Sequence, residues 1–221
     1  MHAAAQTIGL CPFGVLRRRE QPVASDLVRS AGSCALFAAI PSTMVELMGS
    51  LIAVLDVAYA GEAAGVGCVL AEGWTAPAPV AEITKRLVCS PARYEPGRFY
   101  QRELPLLQAI VDRLESRPAV FVIDGYVWLG TQKEPGLGAH LFASVGRAIP
   151  VVGVAKTPFR NDTWSARVLR GASRRPLFVT AAGLDQTRAA GLVVGMHGKH
   201  RIPTLLQRAD HLARAAADGS E

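Results

Sequence analysis

Apolar and polar positions fall into two regimes along the chain. Up to residue 49, Pro12, Gly14, Pro22, Gly32, Pro41 and Gly49 interrupt every candidate element, and only Ser25 to Leu36 carries the pattern of a short helix. Met44 leads directly into the first clear strand. Residues 1–49 therefore read as a loosely structured leader, or as a stretch ahead of a native start near Met44, and residues 50–221 as one domain. From residue 51 the pattern is regular. Leu51 to Tyr59 and Gly65 to Ala71 are apolar strands, and Glu82 to Cys89 alternates as a half-buried strand does. Phe99 to Leu114 has a helical period, with Leu104, Leu107, Ile110, Val111 and Leu114 on one face. Ala119 to Ile123 is a short buried strand between Pro118 and Gly125. A Gly-rich loop follows, then a helix over Leu137 to Ile149 and a strand over Val151 to Ala155. Beyond it, Val168 to Arg170 and Leu177 to Thr180 suit a hairpin. Helices are expected over Leu184 to Val194 and from Arg201-Ile-Pro to Ala217. Three strands joined by short turns imply an antiparallel meander. Later strands separated by helices imply parallel neighbours, so the class is α/β with a central mixed sheet flanked by helices.

Composition narrows the class further. A chain of 221 residues, 50% hydrophobic and 19% charged, can bury a core and is not disordered. Its apolar runs fall well short of the roughly 18 to 20 residues that span a bilayer. The four cysteines (Cys11, Cys34, Cys68, Cys89) form no C-x-x-C pair and have no histidine at ligand spacing, which argues against structural zinc and for free thiols in a reducing cytoplasm. Arg17-Arg18-Arg19 follows apolar residues instead of preceding them, the wrong order for a secretory signal. The net charge of +6 is uneven: residues 157–221 hold ten basic and five acidic side chains, whereas residues 51–156 balance at ten each. A basic C-terminal third suggests a polyanion-binding face, to which the arginines of 167–175 are expected to contribute.

Candidate chemistry lies where carboxylates interrupt aliphatic strands. Asp56 in Ala-Val-Leu-Asp-Val-Ala-Tyr and Asp124 in Phe-Val-Ile-Asp-Gly are costly to bury unless a cation sits beside them. With oxygen ligands and neither histidine nor cysteine nearby, Mg²⁺ or Mn²⁺ is the cation of choice. Glu103 near the start of the amphipathic helix is a third acid, although an acid in a first turn also simply suits the helix dipole. Lys156 ends the strand Val-Val-Gly-Val-Ala. Three acids and a lysine suit phosphodiester hydrolysis. A dinucleotide enzyme is disfavoured, since no G-x-G-x-x-G follows a strand and Gly65-Val-Gly67 precedes one. Trp74 and Trp164 fall in loops, as lid or base contacts or as surface residues.

Taken together, Leu55-Asp56-Val57-Ala58-Tyr59, Tyr94 with Pro96-Gly97, Arg102-Glu103-Leu104-Pro105, Val122-Ile123-Asp124-Gly125, Gly136-Leu-Gly-Ala-His140, Val152-Gly153-Val154-Ala155-Lys156, Pro176-Leu177-Phe178-Val179 and Arg201-Ile202-Pro203 resemble the endonuclease V family in order and spacing, over about residues 51–211. The resemblance implies a ribonuclease H-like fold and a Mg²⁺-dependent endonuclease, with Mn²⁺ as substitute. Such an enzyme cuts DNA or RNA 3′ to (deoxy)inosine, one phosphodiester beyond it, in nucleic-acid repair, leaving 5′-phosphate ends. By the same resemblance Asp56, Glu103 and Asp124 are the metal-binding acids, Lys156 is the active-site lysine, and Asp210 matches a further acid or histidine near the C-terminus. Tyr94, Pro96, Gly125 and His140 match substrate-binding positions, and the implied assembly is a cytoplasmic monomer on nucleic acid. Two departures stand out. The family's Pro-Tyr-Ile-Pro wedge reads Arg93-Tyr94-Glu95-Pro96, and the loop after Gly125 reads Tyr126-Val-Trp-Leu-Gly-Thr-Gln-Lys-Glu-Pro, so that Trp128 and Lys133 either remake the pocket or spoil it. The alternative reading is a divergent member that binds single-stranded or structured nucleic acid with altered specificity or without cleavage.

Overall fold

The computed structural model describes residues 49–88 and 100–220. The expected leader (Gly49 apart), three of the cysteines, and the wedge residues Tyr94, Glu95 and Pro96 lie outside the described residues. The described residues belong to one compact unit, Ile40–Glu221.

Strands β1 (Leu51–Ala60), β2 (Ala63–Glu72) and β3 (Ala81–Val88) form the expected antiparallel meander. Helix α1 (Tyr100–Val111) then crosses to β4 (Val120–Asp124), which pairs parallel to β1. A small two-stranded ribbon, β5 (Trp128–Leu129) and β6 (Glu134–Pro135), occupies the segment expected to be only a Gly-rich loop. Helix α2 (Leu137–Ser144) leads to β7 (Val151–Ala155), parallel to β4. It ends earlier than its apolar pattern predicts, because the chain turns through positive φ at Gly146 and Arg147. Strands β8 (Ala166–Val168) and β9 (Leu177–Ala182) form the expected hairpin, and β9 returns antiparallel to β7. Helices α3 (Gln186–Gly195) and α4 (Thr204–Asp218) complete the chain. The main sheet order is β3-β2-β1-β4-β7-β9-β8, a mixed α/β sheet with helices on both faces. The parallel section is confined to β1, β4 and β7, since β9 follows β7 through a hairpin and not through a covering helix.

Side-chain alternation divides the core in two. Ile52, Val54, Val120, Val122, Val152 and Val154 face one way, into a cluster with α3 and α4. Ala53, Leu55, Phe121 and Ile123 face the other way, toward Leu106, Leu107 and Ile110 of α1 and Leu137 and Leu141 of α2. Trp74 is fully buried in the first cluster, which removes it from any lid or surface role. Helix α4 approaches the sheet unusually closely. A Cβ on Gly65 or Gly67 would sit under 3.0 Å from the backbone of Ala213 and Ala217, or of Ala209 and Ala213. Gly65-Val-Gly67 is thus a seat for an alanine-faced helix, and its glycines are there for backbone contact.

Candidate active site

Strand parity builds the site. Asp56 and Asp124 continue the even-numbered positions of β1 and β4, and both stand one step beyond the registered parallel pair Leu55 and Ile123. They are therefore neighbours at the carboxyl ends of adjacent strands and face α4. Lys156 follows Val152 and Val154 on the same face of β7, whose Val154 pairs with Asp124. Across β2, Asp56 pairs with Gly67, the glycine on which Ala209 of α4 rests. The next residue of that helix is Asp210. Two strand registers and one glycine seat thus bring Asp56, Asp124 and Asp210 together.

One carboxylate oxygen from each of these aspartates lies within 4.8 Å of the other two. This cluster of hard oxygen donors fits a divalent cation such as Mg²⁺ or Mn²⁺. A cation already marks the spot, because the Lys156 ammonium lies 2.5 Å from Asp124 Oδ2 and 3.6 Å from Asp210 Oδ1. Burial opposes the charge on Lys156, but the hydrogen bond and charge of Asp124, with Asp56 and Asp210 behind them, hold its pKa above the ordinary value. Burial, then the charge of Asp124, pushes Asp56 up to about 7. Asp210 is held low, chiefly by Arg214, whose Nε and Nη2 donate to its two oxygens at 2.8 and 3.0 Å.

Glu103 reaches the same place from the opposite face of the sheet. It is 5% exposed at the start of α1, and burial, then Asp56 and Asp124, push its pKa up to about 9. It stands outside the group of three aspartates yet within reach of their charge. Asp210, which the resemblance matches only to a further acid or histidine, stands in the cluster, and Glu103, which it matches to a metal-binding acid, stands beside it.

Next to the carboxylates opens a cavity of about 530 Å³, lined by Asp124, Gly125, Lys156 and the rings of Tyr100, Tyr126 and Phe159, among others. Gly125 has φ +143°, and a Cβ there would meet no atom within 4 Å, so the floor beside Asp124 is open. His140 is not in the cavity wall. Its ring stacks on Tyr100 with centroids 3.5 Å apart, and burial lowers its pKa. Trp128 turns away to donate from Nε1 to the Ala181 carbonyl at 2.8 Å, and Lys133 lies over Trp164. The pocket wall comes instead from Tyr126, which the sequence did not single out. Its hydroxyl donates to the Thr157 carbonyl at 2.9 Å and accepts from the Phe159 amide at 3.0 Å. A tyrosine after Asp-Gly is ordinary loop composition, and only the fold puts it opposite the segment that follows Lys156.

Two arginines brace the far side. Arg201 donates to the Lys156 and Pro176 carbonyls. Arg170 is 5% exposed and donates to the carbonyls of Val194, Met196, Gly198, His200 and Arg201, at the end of α3 and in the connection to α4. This overturns part of the expected basic face: within 167–175, Arg170 is an internal brace, while Arg167, Arg174 and Arg175 remain at the surface.

Among known proteins, the Endonuclease V family model matches residues 40–167. An Endonuclease V from Streptomyces coelicolor is 31% identical over 187 residues, 73% of this chain and 77% of that protein. One from Streptomyces avermitilis is 32% identical over 143 residues, 56% of this chain and 61% of that protein. The crystal structure of the S. avermitilis protein superposes with a TM-score of 0.65 at 27% identity, covering 78% of this chain and 83% of that one. Ciona intestinalis Endonuclease V, solved with a 24mer DNA containing an inosine, shares the fold with a TM-score of 0.65 at 21% identity, covering 78% and 87%. With the family model spanning more than half of its length, this chain belongs to the endonuclease V family.

Proposed function

We propose that the protein is a divalent-metal-dependent endonuclease that hydrolyses a phosphodiester 3′ to (deoxy)inosine in DNA or RNA. The observation that carries this reading is the meeting of Asp56, Asp124 and Asp210 beside Lys156 at the mouth of an aromatic-walled cavity. Family membership and a relative solved on inosine-containing DNA support the choice of substrate.

Asp56, Asp124 and Asp210 would hold Mg²⁺ or Mn²⁺, with Glu103 behind them. Bound there, the cation would supply Lewis-acid stabilisation of the charge that builds on the phosphoryl oxygens. The chain's own groups do the rest. Asp124 joins cavity and carboxylate cluster, so a base held in the cavity would set the phosphodiester one nucleotide further 3′ near Lys156 Nζ. The Lys156 ammonium, kept protonated by its acidic neighbours, faces the developing negative charge. Glu103, buried behind the aspartates, would complete the carboxylate set around the cation. A water oxygen adds to phosphorus, the bond from phosphorus to the 3′ oxygen breaks, and that oxygen takes up a proton. The products are a 3′ hydroxyl and a 5′ phosphate. Gly125 leaves room for the base, and Tyr100, Tyr126 and Phe159 offer apolar walls to it.

Cys68 is a buried free thiol, which supports a reducing, cytoplasmic setting. Among the described residues no helix is long and apolar enough to cross a membrane. Asp56→Asn and Asp124→Asn test the assignment. Each is expected to lose at least about 10²-fold in cleavage rate while binding an inosine-containing strand nearly as wild type does. Wild-type rates from either variant would discard it.

A further inference from the structure

Among the described residues, the two exposed Phe, Tyr or Trp side chains, Phe159 (36% exposed) and Trp164 (41%), lie in one short segment that begins immediately after Lys156. Neither dangles. The Phe159 amide donates to Tyr126 Oη, and the two rings meet edge to face with centroids 6.1 Å apart. Trp164 Nε1 donates to the Thr131 carbonyl at 2.7 Å, and Lys133 Nζ stands 4.0 Å from the centre of its ring. Asp162 fixes the backbone beneath it by accepting from the amides of Trp164 and Ser165, each at 3.0 Å. Both anchors are on the β5–β6 ribbon and the turn before it, the stretch whose Tyr126, Leu129 and Gly136 line the cavity. Fixed, exposed ring faces cost free energy in water unless something flat covers them.

We infer that the β5–β6 ribbon and the 157–165 segment form a clamp in which Trp164 and Phe159 are stacking platforms for unpaired nucleotides flanking the phosphodiester at Lys156. The occupant is a single strand, because a base offers its face to a protein ring only when it is out of the duplex stack. Charge is not the attraction here. The clamp carries two cations, Lys133 and Arg160, against two acids, Glu134 and Asp162; Lys133 already covers one side of Trp164, and Asp162 is used on the backbone. The contribution of Trp164 is therefore insensitive to salt, whereas the phosphate contacts of the basic C-terminal third are not. This inference rests on the proposed nuclease reading for the identity of the site, but it concerns binding and is testable without cleavage.

The test is tryptophan fluorescence without divalent metal, titrating an inosine-free oligothymidine strand and, separately, an inosine-free duplex of the same length. Of the three tryptophans, Trp74 is fully buried and Trp128 is bonded to Ala181, so Trp164 is the exposed reporter. The single strand should quench it strongly and the duplex weakly. By anisotropy with a labelled strand, Trp164→Leu should bind the single strand about tenfold more weakly. Its salt slope should be unchanged, as should its affinity for the duplex. Trp164→Phe keeps a ring and loses the Thr131 bond, and should stay within about threefold of wild type. Wild-type affinity in Trp164→Leu, an equal loss on the duplex, or a Phe variant as weak as the Leu variant would each overturn the clamp. Quenching by the single strand from a protein that cuts nothing would uphold the clamp and count against the nuclease reading alone.

Discussion

Residue by residue, two effects compete in the site: burial pushes Asp56 and Glu103 up, and the Lys156 ammonium pulls Asp56 part of the way back toward the charged form. In metal-free protein the sign of the pH dependence follows from Asp56 and Glu103. Their unfolded values are 3.8 and 4.5, and folding raises them to about 7 and about 9. The folded state then binds more protons than the unfolded chain between those limits, so their contribution lowers stability as pH rises through that window and is least unfavourable below it. Asp210, held low by Arg214, works the other way and only at more acidic pH. Thermal melts of metal-free protein should therefore show the melting temperature falling between pH 5 and about pH 9, and Mn²⁺ or Mg²⁺ should raise it more at pH 8 than at pH 6. A melting temperature that climbs over that range, or ignores the metal, would contradict the raised pKa values of Asp56 and Glu103. Asp56, Asp124 and Lys156 were legible in the sequence because a charge inside an aliphatic strand has few explanations. Tyr126 and Arg201 were not, since each acts through partners 25 to 45 residues away in the chain.

At the element scale, the position of α4 decides whether Asp210 reaches the cluster. Gly67 meets the helix backbone and Asp56 pairs with Gly67, so one methyl group on that strand presses on the whole arrangement. Gly67→Ala should destabilise the fold by about 1–3 kcal/mol in denaturant titrations. It should also weaken Mn²⁺ binding, as the helix lifts Asp210 from its partners; wild-type stability and metal affinity together would show that the close approach is dispensable. The two glycines were visible in the sequence only as a failed nucleotide-binding motif, because nothing local says that the surface they flatten is occupied by alanines some 145 residues later. Arg170 gave a misleading signal of the same kind. In a basic stretch it reads as surface, yet it closes the carbonyl ends of α3 and the following connection. Arg170→Ala should cost more than about 2 kcal/mol in stability. Arg174→Ala and Arg175→Ala should instead leave stability within about 0.5 kcal/mol, while reducing the salt dependence of nucleic-acid binding. An unchanged salt slope would remove those two arginines from the interface.

At the scale of the whole molecule, the sheet order β3-β2-β1-β4-β7-β9-β8 sets the carboxyl ends of three parallel strands side by side and leaves the catalytic candidates at that one end. Period-two strands and the amphipathic helix made this α/β plan readable in advance. The β5–β6 ribbon and the antiparallel return of β9 were less so, because two-residue strands carry no periodic signal and strand direction depends on how the chain travels between strands. The consequence is a division of labour, with charge-rich chemistry at the strand ends and an aromatic wall supplied by the loops beyond them. The measurement that tests this account most directly is Mg²⁺-dependent nicking of end-labelled single strands, duplex DNA and RNA, each with one inosine or none, by wild type and Asp124→Asn. The expected result is a cut one bond beyond inosine that disappears in the variant and on chelation of the metal. Cleavage by Asp124→Asn at the wild-type rate, or no metal-dependent cleavage of any inosine-containing strand, would contradict it.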